Sequence, residues 1–138
     1  MRTITLIALP VLLFFAYPSA AQCNADELSS TSIKKLADGF NFLKSYKVSG
    51  EGNKEMVEYS YVFTKGTQYM VTLSDQNDAN SIVVTIFDSE RRKVATNRVN
   101  GNILSGIAYP CNATGIYYLQ YTFEGGPRCG GSALGFRK

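Results

Sequence analysis

Apolar and polar residues follow two different periods along the chain. Within residues 24–48, apolar residues recur every three or four positions, which is the spacing of an amphipathic helix. The residues of this stripe are Ile33, Leu36, Phe40 and Leu43, and Asp26 or a nearby serine is available as the N-cap. From Val57 onward the period changes to two, which is typical of strands with one buried face. The pattern therefore predicts one N-terminal helix followed by strands.

Turn-forming residues separate the alternating segments, and no internal repeat interrupts them. Short strands at this spacing favour an all-β protein, a jelly-roll-like antiparallel β-sandwich, over residues 51–138, with residues 22–50 as N-terminal helix and linker. We interpret the alternating aromatics as core filling rather than as a ligand platform. The residues predicted to point inward are Val57, Tyr59, Tyr61, Phe63, Tyr69, Val71, Leu73, Ile82, Val84, Ile86, Tyr117, Leu119, Tyr121 and Phe123.

The opposite faces of these strands are not uniformly polar. Apolar residues predicted to point outward are Val62, Met70, Val83, Phe87, Ile116 and Tyr118. Because large exposed apolar patches are uncommon on soluble monomers, we expect something to cover part of this set. The helix is the candidate cover, packed on the outside of one sheet. This outer apolar set and the hairpin loops are the candidate surface for a partner. If the helix stripe does not pack on a sheet, the stripe becomes the candidate instead.

The N-terminus has the features of a secretory signal peptide. Residues 1–21 contain one basic residue, Arg2, then an apolar run, then small residues with Ser19 and Ala21 at cleavage spacing. We predict cleavage after Ala21 and a secreted or periplasmic protein without a transmembrane segment in the mature chain. Lipid attachment at Cys23 is disfavoured because Gln22, rather than a small residue, precedes it.

Three cysteines remain in the exported chain, so at most one internal disulfide can form. Cys129 follows the turn after the strand at 115–123, whereas Cys111 precedes that strand, which spans roughly 24 Å at about 3.4 Å per residue. A disulfide needs Cα atoms within about 7 Å. We therefore expect Cys23 to pair with either Cys111 or Cys129.

Composition excludes several kinds of chemistry. The chain has no histidine, which excludes serine and cysteine triads and histidine metal sites, and three cysteines cannot form a four-cysteine zinc site. Removing Arg2 with the signal peptide lowers the net charge from +3 to +2, too little to indicate a nucleic-acid partner. A carboxylate-dependent glycan hydrolase stays open as an alternative, although no acidic residue lies in a catalytic motif.

One loop contains oxygen ligands of the kind that calcium prefers. Asp75, Asn77, Asp78 and Asn80 lie within six residues of one another. Their spacing is not that of an EF-hand, and clusters of Asp and Asn are ordinary turn formers. We favour a turn, with calcium as the alternative, and predict no cofactor.

Three segments, YSYVFTKGTQYMVTL, IVVTIFDSERRKVATN and ATGIYYLQYTF, resemble the bacterial pre-peptidase C-terminal (PPC) domain in the order of their elements. The resemblance extends over about residues 57–123. It implies a secreted, non-catalytic sandwich of the kind that accompanies a secreted enzyme. The N-terminal helix and the cysteine-bearing end are additions to the family pattern. The matching positions are Tyr61, Phe63, Gly66, Tyr69, Val71, Asp88, Gly115 and Tyr117.

Together these features predict a non-catalytic binding or accessory module of the bacterial cell envelope. Its partner would be another envelope or secreted protein, or an extracellular polymer. The alternative is a structural subunit of a secreted enzyme or surface complex.

Overall fold

The computed structural model describes Leu13 and residues 23–50 and 54–138. The predicted signal peptide, apart from Leu13, and its cleavage site lie outside the described residues. One α-helix, one short 3-10 helix (Gln76–Asp78) and ten strands form the described chain. They are α1 (Ala25–Lys34), β1 (Asn41–Ser49), β2 (Met56–Phe63), β3 (Gln68–Asp75), β4 (Ile82–Phe87), β5 (Lys93–Thr96), β6 (Arg98–Val99), β7 (Asn102–Ile103), β8 (Gly106–Pro110), β9 (Gly115–Phe123) and β10 (Cys129–Arg137).

Eight strands form two four-stranded antiparallel sheets, and β6 and β7 form a separate small hairpin. Sheet A has the order β1-β10-β3-β8, and sheet B has the order β2-β9-β4-β5. Apart from the β4–β5 hairpin, consecutive sandwich strands lie in opposite sheets, so the chain crosses between the layers repeatedly. This is the strand arrangement of a jelly roll and confirms the predicted fold class.

The core lies between the sheets and contains every residue predicted to point inward. Phe63 is fully buried and stacks on Tyr69 and Tyr117, with ring centroids 3.8 and 4.7 Å apart. Tyr121 is also fully buried, and its hydroxyl donates to Ser132 Oγ at 2.8 Å. Tyrosines thus fill much of the interior, and the Tyr121 hydroxyl has a hydrogen-bond partner there, as buried phenols usually do.

The predicted helix is too long. α1 ends at Lys34, and Asn24, rather than Asp26 or a serine, caps its N-terminus. The chain then turns through Gly39, at a φ of +89°, and residues 41–49 form β1, so the sandwich begins before residue 51. A register shift between Phe42 and Lys44 inserts an extra residue into β1. This bulge interrupts the alternation of the strand, so that Leu43 and Tyr46, three residues apart, both pack in the core.

Of the predicted apolar stripe, Leu36, just after α1, lies against Gly135 of β10. α1 itself packs on the outside of the same sheet, as predicted, but through small residues. Its buried residues are Ala25, Ser29 and Ser32. Ser32 Oγ donates to the carbonyl oxygen of Gly131 in β10, and Thr72 in β3 donates to the carbonyl oxygen of Ser32. The outer face of sheet A is therefore covered along β10 and β3 by a helix at close distance.

The disulfide joins Cys23 to Cys129, with Cα atoms 5.4 Å apart, which is one of the two predicted pairings. It connects the residue before the N-cap of α1 to the first residue of β10. Cys111 is a buried free thiol that contacts the carbonyl oxygen of Ala113 at 3.2 Å. Within the part of the chain that the structure describes, no helix is long and apolar enough to cross a membrane.

Candidate functional site

Four of the six predicted surface residues lie together on the outer face of sheet B. β2 and β9 pair Val62 with Ile116, and β9 and β4 pair Tyr118 with Phe87. Directly opposite residues of antiparallel strands share a face, as do residues two apart on one strand. Val62 and Ile116 are 57% and 48% exposed, whereas Phe87 and Tyr118 are half-buried. We call Val62, Phe87, Ile116 and Tyr118 the apolar patch.

An arginine from the β4–β5 turn borders this patch. The Arg91 guanidinium lies over the Tyr118 ring, 3.7 Å from its centroid. It also donates to Glu58 of β2, with Nη1 and Oε1 2.5 Å apart. The hydrogen bond to Glu58 raises the pKa of Arg91 above its usual value. Arg91 thus stays charged and bridges three strands across the face, with a cation–π contact and an ion pair.

The other two predicted surface residues lie elsewhere. Met70 is on the outer face of sheet A, where its sulfur accepts the backbone N–H of Ala37 just after α1. Val83 is on sheet B but only 6% exposed, so its assignment to the surface was wrong.

Val83 lies on β4, an interior strand of sheet B with β9 on one side and β5 on the other. Arg98, which follows β5, forms an ion pair with Glu124, which follows β9, so the residues on both sides of β4 are joined. The position of Val83 on an interior strand is the physical reason that little of it is exposed.

In the loop considered as a calcium site, the Asp75 carboxylate is bonded to groups of the loop itself. Asp75 accepts hydrogen bonds from the backbone N–H groups of Asn80 and Ser81, at 3.1 and 2.7 Å, and from the Ser81 hydroxyl at 3.0 Å. Asn77, Asp78 and Asn80 have positive φ angles, as turn-forming residues of this type tolerate. No group of three or more cysteine or acidic residues within the described residues could hold a metal ion.

Asp88, at the end of β4, is a carboxylate close to the apolar patch, and it is engaged in hydrogen bonds with the β4–β5 turn. It accepts hydrogen bonds from the backbone N–H groups of Glu90 and Arg92 and from Arg92 Nε, each at 2.9 Å. These donors, foremost the backbone N–H of Arg92, lower the pKa of Asp88. Asp88 is therefore an ionised acceptor that shapes the β4–β5 turn, rather than the proton donor a glycosidase requires.

The sequence prediction missed two features of this side of the molecule. In the sequence, Arg91 belongs to the short charged segment 90–93 and has the pattern of an exposed turn residue, and only the fold brings it over Tyr118. Met56 is 46% exposed at the start of β2, on the same face as Glu58 and Val62. Extending the alternating pattern two residues upstream from Glu58 would have found Met56.

Comparisons with known proteins were made with family models, curated proteins and solved structures. No protein-family model matches the chain, and no curated protein matches it. The chain is similar to the crystal structure of PliG from Aeromonas hydrophila, a periplasmic lysozyme inhibitor of g-type lysozyme. The TM-score is 0.49 and the sequence identity 14%, and the similarity covers 75% of this chain and 92% of that chain.

Proposed function

We propose that this protein is a non-catalytic, secreted or periplasmic binding module that recognises a protein partner through the apolar patch. One observation carries the proposal. α1 covers the outer face of sheet A, while on sheet B the cross-strand neighbours Val62 and Ile116 are each about half exposed. A contiguous apolar face of this kind, bordered by charged residues, is typical of an interaction surface.

The disulfide supports an oxidising compartment. Disulfides persist in the periplasm and outside the cell and are rare in the cytosol. The Cys23–Cys129 bond is consistent with export by the predicted signal peptide, whose expected cleavage site lies two residues upstream.

The geometry of Tyr118 favours a protein over a glycan as the partner. Sugars are commonly held against an open aromatic ring, but the Arg91 guanidinium already occupies one face of Tyr118 at 3.7 Å. The rest of the patch is aliphatic or aromatic side chain that can pack into a protein interface, and arginine and tyrosine are enriched at interfaces. An accessory role beside a secreted enzyme, as the PPC resemblance implies, would use the same surface.

A site-specific crosslinking experiment tests this function. A photo-reactive amino acid is placed at Ile116 in the patch and, as a control, at the exposed Thr31 on α1. We expect one envelope protein to crosslink at position 116 and not at position 31. With that protein purified, Ile116→Lys should weaken its affinity by about tenfold or more, because a central apolar contact would be replaced by a charge.

The matched control is Val99→Lys, which makes the same kind of change at a 44% exposed site on the β6–β7 hairpin. It should leave the affinity unchanged. Equal crosslinking at positions 116 and 31, or an affinity that Ile116→Lys does not alter, would contradict the proposal. Retention on a glycan array that is lost with Tyr118→Ala would instead show that the face binds a polymer.

A further inference from the structure

Several exposed apolar side chains lie at one edge of the sandwich, where β1 of sheet A and β2 of sheet B lie side by side. Tyr46 and Tyr59 contact each other across this edge, with ring centroids 4.5 Å apart. Phe42 on β1 is 48% exposed, and Met56 and Val62 on β2 are 46% and 57% exposed. The edge is thus an apolar side of the molecule that adjoins the apolar patch and shares Val62 with it.

Three of the four edge strands carry features that discourage pairing with another chain. β1 has its bulge and two exposed lysines, Lys44 and Lys47, and the Tyr59 hydroxyl donates to the Lys47 carbonyl oxygen at 2.5 Å. β5 has only four residues, and β8 has five and ends at Pro110. Bulges, lysine, proline and short length are the usual protections of a sheet edge.

β2 lacks every one of these protections. Its eight residues, MVEYSYVF, pair with β9 without a register shift from Met56 to Phe63. The sequence contains no proline and no lysine, and Glu58 is its one charged residue. A long, regular and largely apolar edge strand presents unpaired backbone groups that can accept an added strand.

The side chains of β2 are complementary to a second copy of the same strand. Two copies of β2 can pair antiparallel about a two-fold axis perpendicular to the sheet. Outward residues must then lie opposite outward residues, so one residue lies on the axis, opposite its own copy. With the axis at Tyr59, Met56 lies opposite Val62 and Glu58 lies opposite Ser60. With the axis at Glu58 two carboxylates would oppose each other, and with the axis at Ser60 Glu58 would oppose Val62.

We propose that two copies of this protein pair through β2, antiparallel, with Tyr59 on the two-fold axis. Sheet B then continues across both copies as an eight-stranded sheet. The pairing brings Met56 against Val62 of the other copy on the outer face, and the half-buried Val57 against Tyr61 on the inner face. It satisfies the free edge of β2 and joins the two apolar patches into one surface. It goes beyond the proposed function and does not depend on it.

Sedimentation velocity and light scattering across micromolar concentrations of the exported chain test the pairing. We expect a mass twice that of one chain. Met56→Lys and Val62→Lys should each raise the dissociation constant by about tenfold, since each charge would face an apolar residue twice in one two-fold interface. Both sites are already about half exposed, so far-UV circular dichroism and the melting curve should show an intact fold.

A charge-pair variant makes the test specific for the register. In the double variant Met56→Glu, Val62→Lys, the proposed axis puts the new carboxylate opposite the new ammonium group at both ends, so the two-chain mass should return. Val99→Lys, at a comparably exposed site on the β6–β7 hairpin, should have no effect. A one-chain mass at every concentration would overturn the proposal, and so would a dimer that the single variants leave intact or that the double variant fails to restore.

The two proposals can fail separately. Met56 lies outside the apolar patch, so Met56→Lys should dissociate the copies while leaving partner crosslinking at position 116 in place. Ile116 lies on β9, away from the edge, so Ile116→Lys should weaken partner binding while leaving the two-chain mass unchanged.

Discussion

The close approach of α1 to β10 gives the most direct test of the structure. Gly131 faces outward beneath the helix, and a Cβ atom added there would lie 2.1 Å from the backbone nitrogen of Ser29 and 2.5 Å from the carbonyl carbon of Leu28. Both neighbours are backbone atoms of a helix, which cannot rotate away as a side chain could. Gly131→Ala should therefore push α1 away from sheet A.

The size of the effect follows from the same contacts. Restoring an ordinary 3.4 Å separation requires a displacement of about 1.3 Å, which would break the 2.9 Å bond from Ser32 Oγ to the Gly131 carbonyl oxygen and weaken the bond from Thr72 to Ser32. Overpacking costs about 1–3 kcal/mol, and each hydrogen bond contributes about 0.5–1.5 kcal/mol. We expect Gly131→Ala to lower the free energy of unfolding by about 2–5 kcal/mol, a large part of the usual total.

Urea unfolding followed by far-UV circular dichroism measures this difference, and hydrogen exchange of the α1 amides shows whether the helix opens first. Gly66→Ala is the control, because Gly66 has a φ of +86° but nothing within 4 Å of its added Cβ. It should cost about 1 kcal/mol from backbone strain alone. If Gly131→Ala costs no more than Gly66→Ala, the helix does not lie as close to β10 as described.

Two buried polar side chains give further predictions. Asn97 is fully buried; its side chain accepts a hydrogen bond from the Val84 N–H and donates to the carbonyl oxygens of Ile82 and Leu104. Asn97→Ala would leave these backbone groups unsatisfied and should lower the free energy of unfolding, measured in urea, by about 2–4 kcal/mol. A loss under about 0.5 kcal/mol would contradict this role. The Tyr46 hydroxyl has no hydrogen-bond partner among the described residues, and burial raises its pKa to about 12. Tyr46 therefore stabilises the fold below the unfolded-state pKa of about 10, and this contribution is lost as pH rises toward 12. Tyr46→Phe should leave the melting temperature at neutral pH unchanged and should reduce its decline above about pH 10. If Tyr46→Phe lowered the stability at neutral pH as much as Asn97→Ala, the Tyr46 hydroxyl would have a hydrogen-bond partner and this reasoning would be wrong.

The strand pattern could be predicted because its physical cause is local. Side chains alternate across a strand, so residues such as Val71, Val84 and Leu119 indicate their buried face without knowledge of the partner strand. The same pattern identified Val62 and Ile116 as outward-pointing apolar residues. The strand spacing also predicted correctly that Cys111 does not pair with Cys129, because the length of β9 separates the two residues.

The errors arose where one residue or one distant partner changed the outcome. The bulge in β1 makes the spacing between the core residues Leu43 and Tyr46 three instead of two, so the strand did not show the alternation by which strands are predicted. Val83 has the sequence pattern of a surface residue, but it lies on β4 between β9 and β5 and is buried. Such pairings join residues far apart in the chain, and no local period encodes them.

By itself, the sequence determined the all-β class, the inward faces of the strands and the absence of histidine chemistry, since alternation and composition act within a few residues. Only the tertiary structure decided which outward faces remain open. It placed α1 over sheet A through small side chains, brought Arg91 onto Tyr118, and left β2 as an unprotected edge. The physical reason is that exposure depends on which elements pack against which, and this is a property of long-range contacts rather than of any single segment.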